Sequence, residues 1–267
     1  MKFDVIIIGA GPAGIFAALE LARLGVDRVL ILEQGKELKA RRRSEPGDVL
    51  SGWGGAGAFS DGKLTLSPEV GGFLGEILDP EALHRALETA DELYVAHGAP
   101  GDVFGESSPA LEDLANRARL ADLKLIPSRI RHIGTENCPE VLEGFRKSVS
   151  DRVEVRTGTR VESILTRGGR ATGVRLDSGE VLGAEFVIAA PGRIGASWMK
   201  QQAEAVGLDT RASPVDIGVR VELPAAVLKE LTDLTYEFKV VYYSRTFDDR
   251  VRTFCMNPYG EVVTERH

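Results

Sequence analysis

Three glycines and one acid carry the first chemistry in this chain. In "GAGPAG", Gly9, Gly11 and Gly14 stand in G-x-G-x-x-G spacing around Pro12 and Ala13, and Glu33 follows nineteen residues after Gly14, with Gln34 beside it. The first glycine permits a tight turn, the second lets backbone approach a pyrophosphate, and the third lets a helix pack on the preceding strand. The amides and dipole at that helix start then meet phosphate without a basic side chain. An acid at the position of Glu33 accepts hydrogen bonds from a ribose diol and repels a 2′-phosphate. A purely structural turn leaves that acid unexplained, so the pattern reads as a dinucleotide site, with FAD and NAD both open at this point.

A second pattern is "SGWGGAGAFSDGKL", residues 51–64, which holds five glycines. A flexible linker is polar, whereas this stretch carries Trp53, Phe59 and Leu64. The other reading is a loop whose amides at Gly54, Gly55, Ala56 and Gly57 approach a ligand too closely for a Cβ. Asp61 and Lys63 at its end are candidates for an acid or base and a charge tuner, set against a plain Asp-Gly turn and a solvated lysine. Upstream, Arg41, Arg42 and Arg43 read equally as ligand-binding or as a solvated charge run.

The elements that position these residues are legible in the apolar patterning. "FDVIII" is a β-branched run without polar alternation, as in a strand buried on both faces; "AGIFAALELARLG" is the helix after the glycine turn, and "RVLILE" the second strand. Residues 151–195 alternate in short runs broken by "RGGR" and "DSGE", which predicts a three-stranded meander feeding a buried strand that ends at Ala190-Pro191-Gly192. Between the halves, Asp79-Pro80, Ser108-Pro109 and Pro139 mark three helix starts. His84 and His97 belong near the surface of the first of these helices, and His132, in "RIRHIG", reads as a structural histidine in a strand. From residue 214, "PVDIGVRVELP", "YEFKVVYYSRTF" and "RVRTFCMNPYGEVVTERH" read as strands of an antiparallel sheet.

The net charge of −7 discourages non-specific binding to nucleic acid or anionic membrane. The run "VIII" is far too short for a membrane span and lacks a signal-peptide cleavage pattern, so the reading is cytoplasmic. Cys138 and Cys255 form no CxxC and have no histidine at metal-ligand spacing; two buried reduced thiols and no metal site are expected.

The dinucleotide turn with Glu33, "GTRVESI" and "VIAAPGR" together resemble the two-dinucleotide-binding-domain flavoproteins of the glutathione-reductase-like superfamily. More closely, "GGAGAFSDGKL", "DIGVRVELP" and "TFCMNPYGEVV" resemble uncharacterised bacterial and archaeal FAD-dependent dehydrogenases with a G-G-A-G-x-F-S-D-G-K-L loop. The likeness implies an α/β fold: a Rossmann-like FAD-binding domain with a parallel sheet and β-meander, plus part of an antiparallel substrate or cap domain. It implies FAD contacts at Gly54–Gly57, backbone contact of Val161 with adenine, the turn at Ala190, Pro191 and Gly192 beside the cofactor, and Arg42 or a neighbour on the pyrophosphate. One departure is "CMNPYG", which keeps Cys255 where the family is richer in cysteine and so removes any role for a second one.

The implied arrangement is a βαβ unit and glycine loop over 1–78, a helical insertion over 79–150, the meander and its return over 151–210, and the start of the cap domain over 211–267. The implied activity is FAD-dependent oxidation or reduction of a small molecule, with NAD(P)H as a transient reductant and no second GxGxxG unit to hold it. Flavin-dependent RNA modification and a non-catalytic flavin subunit are the alternatives. No Gly-Asp return to the flavin follows residue 200, so the chain reads as the N-terminal part of a longer flavoprotein, completed by self-association or a second chain.

Overall fold

The computed structural model describes residues 2–211 and 215–260. They fall into two compact units, one of residues 2–60, 138–211 and 215–216, the other of residues 61–137 and 217–260.

In chain order the elements are β1 (Lys2–Ile8), α1 (Pro12–Arg23), β2 (Val29–Leu32), α2 (Pro46–Leu50), β3 (Lys63–Thr65), α3 (Pro80–Ala96), α4 (Pro109–Leu120), β4 (Lys124–Ile126), β5 (Ile130–His132), α5 (Cys138–Ser150), β6 (Val153–Arg156), β7 (Val161–Arg167), β8 (Arg170–Leu176), β9 (Val181–Ala189), α6 (Ala196–Ala205), α7 (Ala225–Thr235), β10 (Lys239–Tyr243) and β11 (Arg250–Arg252). Short 3-10 turns intervene, among them Gly55–Phe59.

The first unit is built on a six-stranded sheet in the order β6-β2-β1-β9-β8-β7. β6, β2, β1 and β9 run parallel, and β7, β8 and the start of β9 form an antiparallel meander. β1 and β2 bury nearly every side chain, as their unbroken Val/Ile/Leu runs demand of strands covered on both faces. Gly14, Ile15, Ala18 and Ala22 give α1 a buried stripe at helical spacing, and its Phe16 meets Phe145 of α5 with ring centroids 5.6 Å apart. The meander differs from the sequence reading in one respect. β6 leaves it to extend the parallel sheet beside β2, and β9 serves as both third meander strand and buried strand: Gly183 is paired with Gly173 on one side and with Lys2 on the other. A single nine-residue strand does this because its first part faces a hairpin partner and its remainder the apolar β1.

The second unit holds a β11-β10-β4 antiparallel sheet and a β3-β5 pair, with α3, α4 and α7. Asp79 and Ser108 cap α3 and α4, accepting the amides of Ala82 at 2.8 Å and Leu111 at 3.2 Å. One expectation fails here: residues 215–224 take no regular structure despite their strict alternation. "AAVLKELTDLT", between the strand-like runs, forms α7. Alternation specifies a strand only where another strand takes up its amides and carbonyls; here Ile217 and Val219 stay more than 90% exposed. The last run has a strand only at β11, and residues 261–267 lie outside the described residues. Cys138 is buried as expected, but Cys255 is exposed, because it follows β11 on irregular backbone.

Candidate functional site

The glycine turn after β1 and the Ala190-Pro191-Gly192 turn after β9 lie side by side, because β1 and β9 are parallel neighbours that end together. Their contact is tight. A Cβ on Gly9 would stand 2.2 Å from the carbonyl oxygen of Ala190, and one on Gly14 would stand 2.0 Å from that of Gly9. Gly11 is different: a Cβ there meets nothing nearer than the Cα of Gly55 at 4.0 Å, so it faces open space opposite the glycine-rich loop.

That space is a cavity of about 360 Å³. Gly9, Gly11, Pro12, Glu33, Gln34, Gly55, Ala56, Gly57, Val161, Ala190, Pro191 and Gly192 all line it, so residues far apart in sequence converge on one space. Ala13 instead lines a neighbouring cavity of about 490 Å³, which Gly11, Pro12 and the Ala190–Gly192 turn share with α6. Gly14 packs beneath the turn, and Gly54 lies against Leu142 of α5. A cradle bounded by glycine backbone, with a buried acid at one wall, fits an extended dinucleotide such as FAD.

Glu33 is 5% exposed and knits this cradle together. One carboxylate oxygen accepts the Ala10 amide and the other the amides of Gly35 and Gly52, all at 2.8 Å. A carboxylate has about four acceptor sites, so these three amides leave one.

Arg41 is the counterpart that sequence reasoning did not single out among its neighbours. Its guanidinium is buried and donates to the carbonyls of Asp48 at 2.7 and 2.9 Å, of Gly55 at 2.8 Å, and of Val49 and Trp53, with Phe59 beneath it at 4.9 Å. Burial pulls its pKa down, while Glu33 and Asp48 pull it up; the net shift is downward from a value so high that the charge persists. Because C=O and N–H point oppositely across a trans peptide, drawing the Gly55 carbonyl inward turns the Ala56 amide the other way. Arg42 is exposed and donates to the carbonyls of Lys39 and Arg41, and Arg43 is exposed as well. The same end of the loop is anchored again by the fully buried Trp53, whose indole donates to Leu142 O at 2.9 Å. An anchored loop of this kind is no linker.

In the second unit, Lys63 of β3 lies opposite His132 of β5. Its ammonium meets Asp61 at 3.0 Å, donates to the Met256 carbonyl at 2.7 Å, lies 3.3 Å from the Cys255 sulfur, and pairs with the buried Glu237. Burial opposes the charge, but the Glu237 and Asp61 carboxylates outweigh it and hold Lys63 above its ordinary pKa. Glu237 also pairs with Lys239; burial pushes its carboxyl up, and the two lysines more than reverse that, leaving it below the usual range. His132 Nε2 is hydrogen-bonded at 2.8 Å to the Tyr236 hydroxyl. Tyr236 carried no signal in the sequence, since a tyrosine at the start of a strand-like run is ordinary. His84 is exposed on α3, and His97 caps that helix with Nδ1 2.7 Å from the Leu93 carbonyl.

The sequence profile of the family described as FAD dependent oxidoreductase matches residues 4–259. An uncharacterised protein of Clostridium beijerinckii is 28% identical over 292 residues, covering 98% of this chain and 46% of its own length. Protein FixC of Escherichia coli K12 is 28% identical over 245 residues, covering 85% of this chain and 45% of its own. Among solved structures, the L-amino acid deaminase of Proteus myxofaciens in complex with anthranilate aligns at 18% identity and a TM-score of 0.46, over 78% of this chain and 49% of its own. The chain spans about half the length of the curated relatives it matches. Among the described residues no helix is long and apolar enough to cross a membrane.

Proposed function

The chain belongs to the family of FAD-dependent oxidoreductases, and from that premise we propose that its first unit binds FAD and that the protein uses it to oxidise or reduce a small molecule. In this reading Gly9–Gly14 receive the pyrophosphate, Glu33 and Gln34 the adenosine ribose, and the Val161 backbone the adenine. Gly55, Ala56 and Gly57, with Ala190–Gly192, receive the flavin end. The observation that carries the reading is Gly11: its Cβ position is empty and faces the glycine loop, while Gly9 and Gly14, either side of it, are packed to contact. FAD would supply the two-electron chemistry; this chain's residues bind it, orient it and set the electrostatics around it.

The remaining acceptor site on Glu33 favours an unmodified ribose, which supports FAD over NADP; a cradle reaching from Val161 to Gly57 has no use for FMN. Mass spectrometry of the nucleotide released from purified protein tests this, with FAD the expected species and mainly FMN or NADP the result that refutes it. A nicotinamide serves as transient reductant in this proposal, and mixing the FAD-loaded protein with NADH and NADPH should bleach the flavin absorption with at least one of them. In this reading Asp61 and Lys63 are the candidates for an acid or base and a charge tuner, and the carboxylates around Lys63 fix its charge. The protein is cytoplasmic in this proposal, and a second copy or chain completes its flavin site; solution mass with and without FAD checks the latter.

A further inference from the structure

Tyr236 is held in a conformation that its chemistry does not favour. It follows α7 with φ 56° and ψ −56°, outside the left-handed helical region that asparagine or glycine visits, and bulky aromatic residues avoid such backbone. Strained backbone persists where the surroundings over-determine it, and it concentrates at functional sites. The surroundings here are specific. The next residue, Glu237, is buried, pairs with Lys63 and Lys239, and accepts the Met256 amide at 3.2 Å. The Tyr236 ring stacks on His132 with centroids 4.2 Å apart and meets Phe104 at 5.4 Å.

The hydrogen-bonding capacity of this cluster is uneven. Lys63 is surrounded by two carboxylates and a carbonyl, so its charge is compensated on the spot. The phenol is not saturated in the same way. It has one proton and two lone pairs, and His132 Nε2 takes up one of these capacities. The next acceptor for its proton, Asn257 Oδ1, stands at 3.5 Å, the far limit of a hydrogen bond. Burial, with Asp61 adding to it, pushes the phenol up to about 12, so it remains a neutral donor at neutral pH. Tyr236 is half-buried, and Cys255 and Asn257 beside it are exposed, which leaves this edge of the cluster open to a ligand.

We propose that Tyr236 and His132 form an oxyanion-binding dyad for a carbonyl compound, a ketone or enone whose oxygen gathers negative charge as it reacts. With its proton on Nε2, His132 donates to the phenol oxygen and so directs the phenol's own proton at the ligand oxygen. Tyr236 is the group that touches substrate, and His132 is a positioning residue acting through it. The dyad donates a hydrogen bond and neither breaks nor forms a covalent bond. The name of the reaction rests on the oxidoreductase reading; the binding of an oxyanion does not.

The probe is 4-nitrophenol, whose phenolate is an oxyanion of this kind and absorbs visible light. The full 267-residue chain is titrated with it, with and without added FAD, at the pH where free probe is half ionised. Saturable binding that enriches the phenolate form is expected. Tyr236→Phe should weaken it about tenfold or more, the loss of one hydrogen bond to a charged group. His132→Gln, whose amide reaches the place of Nε2, should retain most of the affinity that His132→Leu loses, a rescue that a purely packing role would not show. Cys255→Ser should leave the titration unchanged. Should Tyr236→Phe fail to fold, a series of substituted phenols on the unmodified protein carries the test, because affinity must rise with phenolate basicity. No saturable binding by the unmodified chain, unchanged binding in folded Tyr236→Phe, or affinity indifferent to basicity each overturns the dyad. FAD retention on ultrafiltration, measured on the same samples, reports the cofactor reading separately.

Discussion

The glycine-lined cradle of the first unit is made of backbone, whereas the cluster of the second unit is made of side chains, and the two fail in different ways. In the cradle, charged side chains are turned on the protein itself: Glu33 holds three amides and Arg41 holds the carbonyls of the glycine loop. What remains for a ligand is mostly peptide groups and space. In the other cluster, Lys63, Glu237, Lys239, His132 and Tyr236 meet one another through their ends, and the backbone at Tyr236 bends to allow it. Backbone sites tolerate little added volume, and side-chain sites depend on the charges that make them up.

The largest effect that sharpens this contrast is steric. Gly14→Val should prevent folding of the first unit, because even the Cβ would overlap the Gly9 carbonyl at 2.0 Å. Gly11→Val should fold and lose FAD, since its side chain enters the cavity. Far-UV circular dichroism and flavin content distinguish the two, and a Gly11→Val protein with normal flavin content would remove the pyrophosphate assignment. Gly57 offers the equivalent test for the glycine loop without the positive φ of Gly54 or Gly55: its Cβ would meet only Pro12 Cγ at 3.8 Å, so Gly57→Val should fold yet hold less flavin.

Next in size is the ion cluster. Glu237→Leu leaves two lysines without their shared carboxylate, and removing one partner of a buried pair costs about 3–5 kcal/mol. Denaturant unfolding followed at the second unit should show it; a loss under about 1 kcal/mol would mean that solvent already screens the cluster. The same group sets a pH response. Its folded pKa is depressed, so its contribution is complete above the ordinary value of 4.5 and is lost as the pH falls through the lower folded value. Lys63 has the opposite sign: raised, it contributes fully below 10.5 and loses that contribution as the pH climbs beyond. In Glu237→Gln the acid limb assigned to this residue should flatten.

Arg41→Met removes the donor to several buried carbonyls, each costly to leave unpaired, for a loss on the order of 3 kcal/mol together with flavin affinity. Arg41→Lys should restore little, because an ammonium lacks the planar fork that reaches Asp48, Trp53 and Gly55 at once. The smallest effect is at Arg42. Being exposed, Arg42→Met should change stability by no more than about 0.5 kcal/mol, so that any loss of FAD affinity reports a direct contact with the cofactor. Equal losses in the two variants would erase the distinction drawn between them.

Much of the cradle could be read directly from the residues. G-x-G-x-x-G between an unbroken apolar strand and a helix, with an acid after the next strand, is a local pattern, and local patterns survive because each step depends on neighbours in sequence. The caps at Asp79 and Ser108 were legible for the same reason, since an N-cap bonds an amide three residues on. Alternation at 215–224 was equally clear and was misleading, because a strand is completed by a partner that its own residues do not specify. The three adjacent arginines look alike in sequence; only the fold, by closing the loop over one of them, made Arg41 a strut and left Arg42 and Arg43 in water. Glu33 was marked by spacing as an acceptor, but that it ties the turn, the strand end and the glycine loop together depends on Ala10, Gly35 and Gly52 arriving at one point. The meeting of Tyr236 with His132, 104 residues apart, was decided by tertiary structure alone, through the bend after α7 and the β3-β5 pair that places His132 opposite Lys63. Sequence determines what its short-range geometry encodes, the turn, the caps and the buried strands; contacts between distant side chains exist only once the packing of whole elements has fixed where each one ends.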